Sequence, residues 1–124
     1  MKGRVLVVDD DEGSRMAVEQ AMTSRLSCDV ALAECASVAL ARFESEHFDV
    51  IVSDYQMPEM TGLDFALELR KRNDSIPLLL YSAHAISEFD PQKLQSVTDV
   101  ISKPNVQDLV LKVSVLMNWP IVSR

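Results

Sequence analysis

The sequence predicts an α/β fold: a doubly wound parallel sheet of five strands with helices on both faces. Two observations carry this. Val5 to Val8, Val50 to Val52 and Leu78 to Tyr81 are apolar at consecutive positions, the mark of strands covered on both faces in a parallel sheet. Between such runs the apolar spacing changes to three and four residues, the period of a helix that buries one side. Crossovers between parallel strands are right-handed, so the alternation builds an open sheet whose ligand site lies outside the carboxyl ends of its strands.

Arg4 to Val8 is rich in β-branched residues and reads as the first strand. Ser14 to Leu26 reads as the first helix through Val18, Ala21 and Met22, with Asp11 and Glu12 placed to favour its N-terminal dipole. Val30 to Glu34 is a weaker strand, expected at an edge. Ala36, Ala39, Leu40 and Phe43 fall on one helical side. Val50 to Val52 leads into a turn shaped by Pro58 and Gly62, and then into a helix over Leu63 to Arg72. After Leu78 to Tyr81 the chain turns polar, and Asp90-Pro91 supplies an N-cap and a first-turn proline for a short helix over Pro91 to Val97 that offers Leu94 and Val97 to the core. Val100 and Ile101 form the last strand, and Val106, Leu109, Val110 and Val113 the last helix. The domain is expected over residues 1–118, with 119–124 a tail or the beginning of a linker.

A chain of 124 residues with 48% hydrophobic content is expected to form one core and bury roughly two-thirds of its unfolded surface. Its formal net charge of -7 repels nucleic acid and anionic lipid, which disfavours direct DNA binding or membrane association. The apolar runs are too short to cross a bilayer and no leader pattern precedes Val5, so a soluble cytoplasmic protein is expected. Cys28 and Cys35 match neither a redox pair nor half of a zinc site and read as reduced thiols.

The predicted strand ends carry the chemistry. Asp9, Asp10 and Asp11 follow the first strand, Asp54 the third, Ser82 ends the fourth and Lys103 follows the fifth. Carboxylates gathered at one edge disfavour one another's ionisation, a conflict that a divalent, oxygen-seeking cation resolves. Mg²⁺ suits the set, because it takes a few carboxylates and keeps positions for water and phosphoryl oxygens. In a pocket neutralised in this way one carboxylate can attack phosphorus, with Lys103 and Ser82 as donors to the phosphoryl oxygens.

Val-Val-Asp9-Asp10, then Ser53-Asp54-Tyr-Gln-Met-Pro58-Glu-Met-Thr-Gly62, then Ser82-Ala83 and Lys103-Pro104, taken in order, resemble a response-regulator receiver domain from about residue 4 to about residue 117. The resemblance implies a flavodoxin-like sheet ordered 2-1-3-4-5, with Asp54 as phosphoacceptor and Asp10 as a direct metal ligand. It implies further that Asp9 acts through a metal-bound water, that the backbone carbonyl of Gln56 completes the protein ligands, and that Ser82 and Lys103 contact the phosphoryl group. A cis peptide between Lys103 and Pro104 is also implied. The expected partners are a sensor histidine kinase or histidine phosphotransfer protein and an output partner or effector domain, with the chain itself a signalling phosphoacceptor and not an enzyme.

Two rivals are weighed against this. Asp9-x-Asp11 after an apolar strand resembles the opening of haloacid-dehalogenase phosphatases, but Gly13 stands where that pattern has Thr or Val and no later paired-acid motif follows. A receiver-like module silent to phosphate is opposed by the presence of Asp10, Asp54, Ser82 and Lys103 together. One departure bears on signalling: three residues before Lys103, where the family often has Tyr or Phe, this chain has Val100. His84, two residues past Ser82, is placed at the mouth of the site.

Overall fold

The computed structural model of the chain describes residues 2–72 and 75–122. Its five strands are β1 (Gly3–Val8), β2 (Cys28–Ala33), β3 (Val50–Ser53), β4 (Leu78–Ser82) and β5 (Asp99–Ser102). They pair in parallel in the order β2-β1-β3-β4-β5, the expected doubly wound arrangement. The helices are α1 (Glu12–Arg25), α2 (Ala36–Ser45), α3 (Gly62–Lys71), α4 (Pro91–Leu94) and α5 (Val106–Met117), with a single 3₁₀ turn at Ile86–Glu88 before α4.

The pleat of each central strand divides its side chains between two cores. Val5 and Val7 of β1 point to one face, where they join Val18 and Met22 of α1 and Leu109, Val110 and Val113 of α5. Leu6 and Val8 point to the other and meet Ala36, Ala39 and Leu40 of α2 with Phe65, Ala66 and Leu69 of α3. This two-sided cover explains why β1, β3 and β4 read as continuous apolar runs. β2 lies at an edge, as expected, but begins at Cys28, pairing Gly3 with Cys28 and Val8 with Ala33.

Helix ends follow local chemistry. Asp11 caps α1 by accepting from the Ser14 amide at 2.8 Å, Thr61 caps α3 by accepting from Asp64, and Asp90 caps α4 by accepting from Gln92. α2 is capped from a distance: Cys35 makes no side-chain cap, and the Glu59 carboxylate accepts from the Ser37 amide at 3.1 Å and the Ser37 hydroxyl at 3.0 Å. α4 ends at Leu94, shorter than the expected run to Val97, because hydrogen bonds to Gln92, Lys93 and Leu94 turn the chain over 95–97.

The segment before α4 is less polar in function than in composition. Phe89 is only 4% exposed and packs with Leu63 and Leu80 in a third apolar cluster that also receives Tyr55, Leu94, Val97 and Val100. Past α5 the chain folds back. The Val122 amide donates to the Arg25 carbonyl at 2.7 Å, and Trp119 lies so close over Gly3 that a side chain there would overlap its indole. Cys28 is buried and Cys35 partly exposed, and both are free thiols. Among the described residues no helix is long and apolar enough to cross a membrane.

Candidate functional site

Three backbone hydrogen bonds carry the sheet ladder just past its strands and set the starting points of the site's side chains. The Asp9 amide donates to Ala33 O at 3.1 Å, the Asp54 amide to Val8 O at 2.8 Å, and the Lys103 amide to Ser82 O at 2.9 Å. The residues that follow β1, β3 and β5 therefore leave the sheet at one edge, beside the point where strand order reverses between β1 and β3. The Lys103–Pro104 peptide is cis.

Lys103 is the hub. Its Nζ donates to Asp9 Oδ2 at 2.8 Å and lies 3.3 Å from Asp54 Oδ1. Asp9 is buried, and its other oxygen accepts from the Asp11 amide at 2.9 Å while its carbonyl accepts from Arg15 at 2.7 Å. Asp54 Oδ1 also accepts from the Tyr55 amide at 2.8 Å. Asp10 is exposed, yet one oxygen from each of Asp9, Asp10 and Asp54 lies within 4.8 Å of the others.

Burial, and then the Asp9 charge, hold the Asp54 carboxyl above its ordinary range against the opposing pull of Lys103. For Lys103 burial acts against the ammonium, but the hydrogen bond it donates to Asp9 and the charges of Asp54 and Asp9 outweigh that and raise its pKa. Among the described residues the ion pairs of this carboxylate cluster run to Lys103 alone, and even with Arg15 on the Asp9 carbonyl the strand ends keep an excess of negative charge. The donors are all oxygens, one of them on an exposed residue, which fits a hard divalent ion that keeps water in its shell.

The sequence-predicted residues do not all converge. Asp9, Asp10, Asp54 and Lys103 meet directly, and Gln56 lies exposed two residues beyond Asp54. Ser82 is fully buried at the end of β4, and its hydroxyl is engaged by His84, accepting from the His84 amide at 3.0 Å and lying 3.3 Å from Nδ1. Residues that the sequence left unmarked complete the surroundings. Tyr55 stacks at a tilt on His84 and Phe89, with centroids 5.1 and 4.6 Å away. The Tyr81 ring lies 5.5 Å from the Lys103 ammonium, and its hydroxyl accepts from the Asn105 amide at 3.0 Å, steadying the turn after Lys103. An aromatic next to each motif residue was the available signal in both cases.

The turn after Asp54 differs from expectation in its cause. The left-handed residue is Glu59, with φ 77°, and no glycine has positive φ. Gly62 is required by close approach: its amide donates to Tyr55 O at 2.7 Å, and a Cβ there would overlap the Asp54 carbonyl oxygen.

A doubly wound sheet whose carboxyl edge gathers carboxylates from β1 and β3 round a lysine after β5 defines a class of α/β domain with an acidic, lysine-paired site at its strand ends. The chain belongs to the response regulator receiver domain family, whose profile matches residues 5–114. It is 33% identical over 103 residues to the aerobic respiration control sensor protein ArcB of Escherichia coli K12, a match spanning 81% of this chain and 13% of ArcB, so the chain equals only a fraction of that relative's length. Among solved structures, the receiver domain of Francisella response regulator 1452 superposes with a TM-score of 0.86 at 28% identity, covering 94% of this chain and 98% of that one. The Thermotoga maritima response regulator TrrA, in complex with Mg²⁺ and BeF, gives a TM-score of 0.84 at 28% identity, covering 94% and 99%.

Proposed function

We propose that this domain is a stoichiometric phosphoacceptor of two-component signalling that takes a phosphoryl group onto Asp54 from a histidine kinase or a histidine phosphotransfer protein. The observation that carries the reading is the placement of Asp54: it directly follows the central strand, 3.3 Å from the Lys103 ammonium and within 4.8 Å of Asp9 and Asp10. An Asp54 oxygen forms a bond to phosphorus, the phosphorus–nitrogen bond of the donor breaks, and its electron pair leaves with the imidazole. Lys103 donates to the phosphoryl oxygens and offsets their charge; the Ser82 hydroxyl is a second donor once it turns toward them. Asp10, Asp54, the Gln56 carbonyl and, through a water, Asp9 would hold Mg²⁺, which would supply neutralisation of the carboxylates and of the incoming phosphoryl group. The loaded domain then acts on a partner or a linked output domain, working in the cytoplasm.

Incubation with acetyl phosphate and Mg²⁺ is expected to add one phosphoryl mass to the wild type and none to Asp54→Asn. Full loading of the Asn variant would reassign the acceptor. No loading of the wild type by any donor would favour a phosphate-silent interaction module, and sustained turnover of phosphate esters a phosphatase.

A further inference from the structure

The hydroxyl that the phosphoryl site needs is already committed. Ser82 Oγ accepts from the His84 amide at 3.0 Å, a local turn bond that any residue but proline can make at 84, and lies 3.3 Å from Nδ1, a contact of the histidine side chain. With one lone pair taken by the amide, an Nδ1 that carries no proton takes the hydroxyl hydrogen. The imidazole is seated by Tyr55, whose ring packs 5.1 Å from it and 4.6 Å from buried Phe89. Tyr55 in turn donates its amide to Asp54 at 2.8 Å. The ring that seats His84 therefore hangs from the peptide that holds the acceptor.

We propose that His84 is a positioning residue that turns the Ser82 hydroxyl hydrogen away from Asp54 in the unphosphorylated domain, so that an anion on Asp54 gains this donor only by displacing the imidazole. The inference rests on the reading of Asp54 as phosphoacceptor. It also gives the loop over 83–90 a reason to respond. When Ser82 changes partner, His84 loses its bond, and the Tyr55 and Phe89 rings packed on it lose a fixed neighbour.

The test uses the whole chain with Mg²⁺ and beryllofluoride, titrated by amide NMR. His84→Phe keeps a ring against Tyr55 but has no acceptor, and is expected to bind the mimic about five-fold more tightly, the worth of one neutral hydrogen bond. In His84→Asn the side-chain oxygen takes the place of Nδ1, and affinity is expected to stay within about two-fold of wild type. In a Ser82→Ala background His84→Phe is expected to change nothing, since no hydroxyl is left to release. The opposite pattern, with Phe like wild type and Asn altered, would assign the effect to ring packing and overturn the proposal. A second readout does not depend on phosphorylation: ring ¹⁵N–¹H correlations of the metal-free protein, at a pH above the ordinary histidine range, are expected to show His84 as the Nε2–H tautomer with an Nδ1 signal that shifts in Ser82→Ala. An Nδ1–H tautomer would overturn the proposal even if Asp54 accepts phosphate. The expected tautomer in a chain that never loads Asp54 would uphold the hydrogen bond and fell the functional reading alone.

Discussion

Single atoms set the acceptor's surroundings. A Cβ on Gly62 would overlap the backbone carbonyl oxygen of Asp54 and the Leu80 Cδ1 methyl, so either the turn or the side chain must shift to admit it. Gly62→Ala is therefore expected to destabilise the domain by about 1–3 kcal/mol, measured by urea unfolding. Wild-type stability in that variant would mean that the β3–α3 turn relaxes freely. Asp54 itself gives a pH dependence. Its folded pKa is raised above the ordinary 3.8, first by burial and then by Asp9, so ionising it is harder in the folded state than in the unfolded state. That penalty is absent below pH 3.8, where the carboxyl is protonated in both states, grows as pH rises through the folded value, and is complete above it. In chelator-treated protein Asp54→Asn is expected to be more stable than wild type near neutral pH, with the advantage shrinking on acidification toward 3.8. Denaturant midpoints across that range decide it, and an advantage that grows with acid would reverse the sign assigned here.

Elements are joined by bonds that the spacing of apolar residues does not foretell. α5 stops at Asn118 in the left-handed region, with φ 57°, and the Trp119 amide donates to Ser114 O at 3.0 Å while the Ser114 hydroxyl donates to Trp119 O at 2.5 Å. The reversal brings Trp119 onto Gly3 and aligns Ile121 with Leu26, so the end of α5 ties β1 and the end of α1 together. Asn118→Val forces a β-branched residue into that conformation and is expected to cost about 1–2 kcal/mol of stability in thermal melts. Asn118→Gly is expected to cost nothing. If both substitutions were neutral, the reversal would be held by Trp119 alone. At the other side of the sheet the α3–α4 contact includes the Lys93–Asp64 pair at 2.8 Å; both side chains are 40% exposed, so solvent screening leaves it a minor term.

Across the whole molecule the two cores are apolar and continuous, and the unresolved tension lies at the strand ends. Three carboxylates share one ammonium there, so a cation that binds only the folded state should raise stability by mass action, about 2.7 kcal/mol at a hundred-fold excess over its dissociation constant. Millimolar Mg²⁺ is expected to raise the melting temperature of the wild type and to leave Asp10→Ala unmoved, while Asp10→Ala without metal is as stable as wild type or more so. A wild-type midpoint indifferent to Mg²⁺ would remove the metal from this site. Beryllofluoride with Mg²⁺ is further expected to change amide exchange most over 83–98, with smaller changes along α5. There α4 has a single turn and Phe89 carries much of the burial, so little free energy holds the segment in place. Equal exchange with and without the mimic would place the response elsewhere.

The strands, the helix faces and the position of the site were legible in the chain itself, because burial on both faces of a parallel sheet demands continuous apolar runs and one-sided burial demands helical spacing. The same order placed Asp9, Asp10, Asp54 and Lys103 at one edge, since residues that follow parallel strands emerge together. What only the tertiary structure decided are contacts between segments distant along the chain or matched by shape. Glu59 caps α2 from 22 residues away, Gly62 is needed for a close approach that leaves no mark in spacing, and Phe89 is buried although its neighbours in sequence are polar. The partner of the Ser82 hydroxyl belongs to the same group, because the turn after β4 and the seat made by Tyr55 together choose which acceptor the hydrogen meets. Periodicity reports which side of an element is dry. It carries no information about which atoms meet across the gap between elements, and that meeting is what turns a cluster of motif residues into a site with a set resting state.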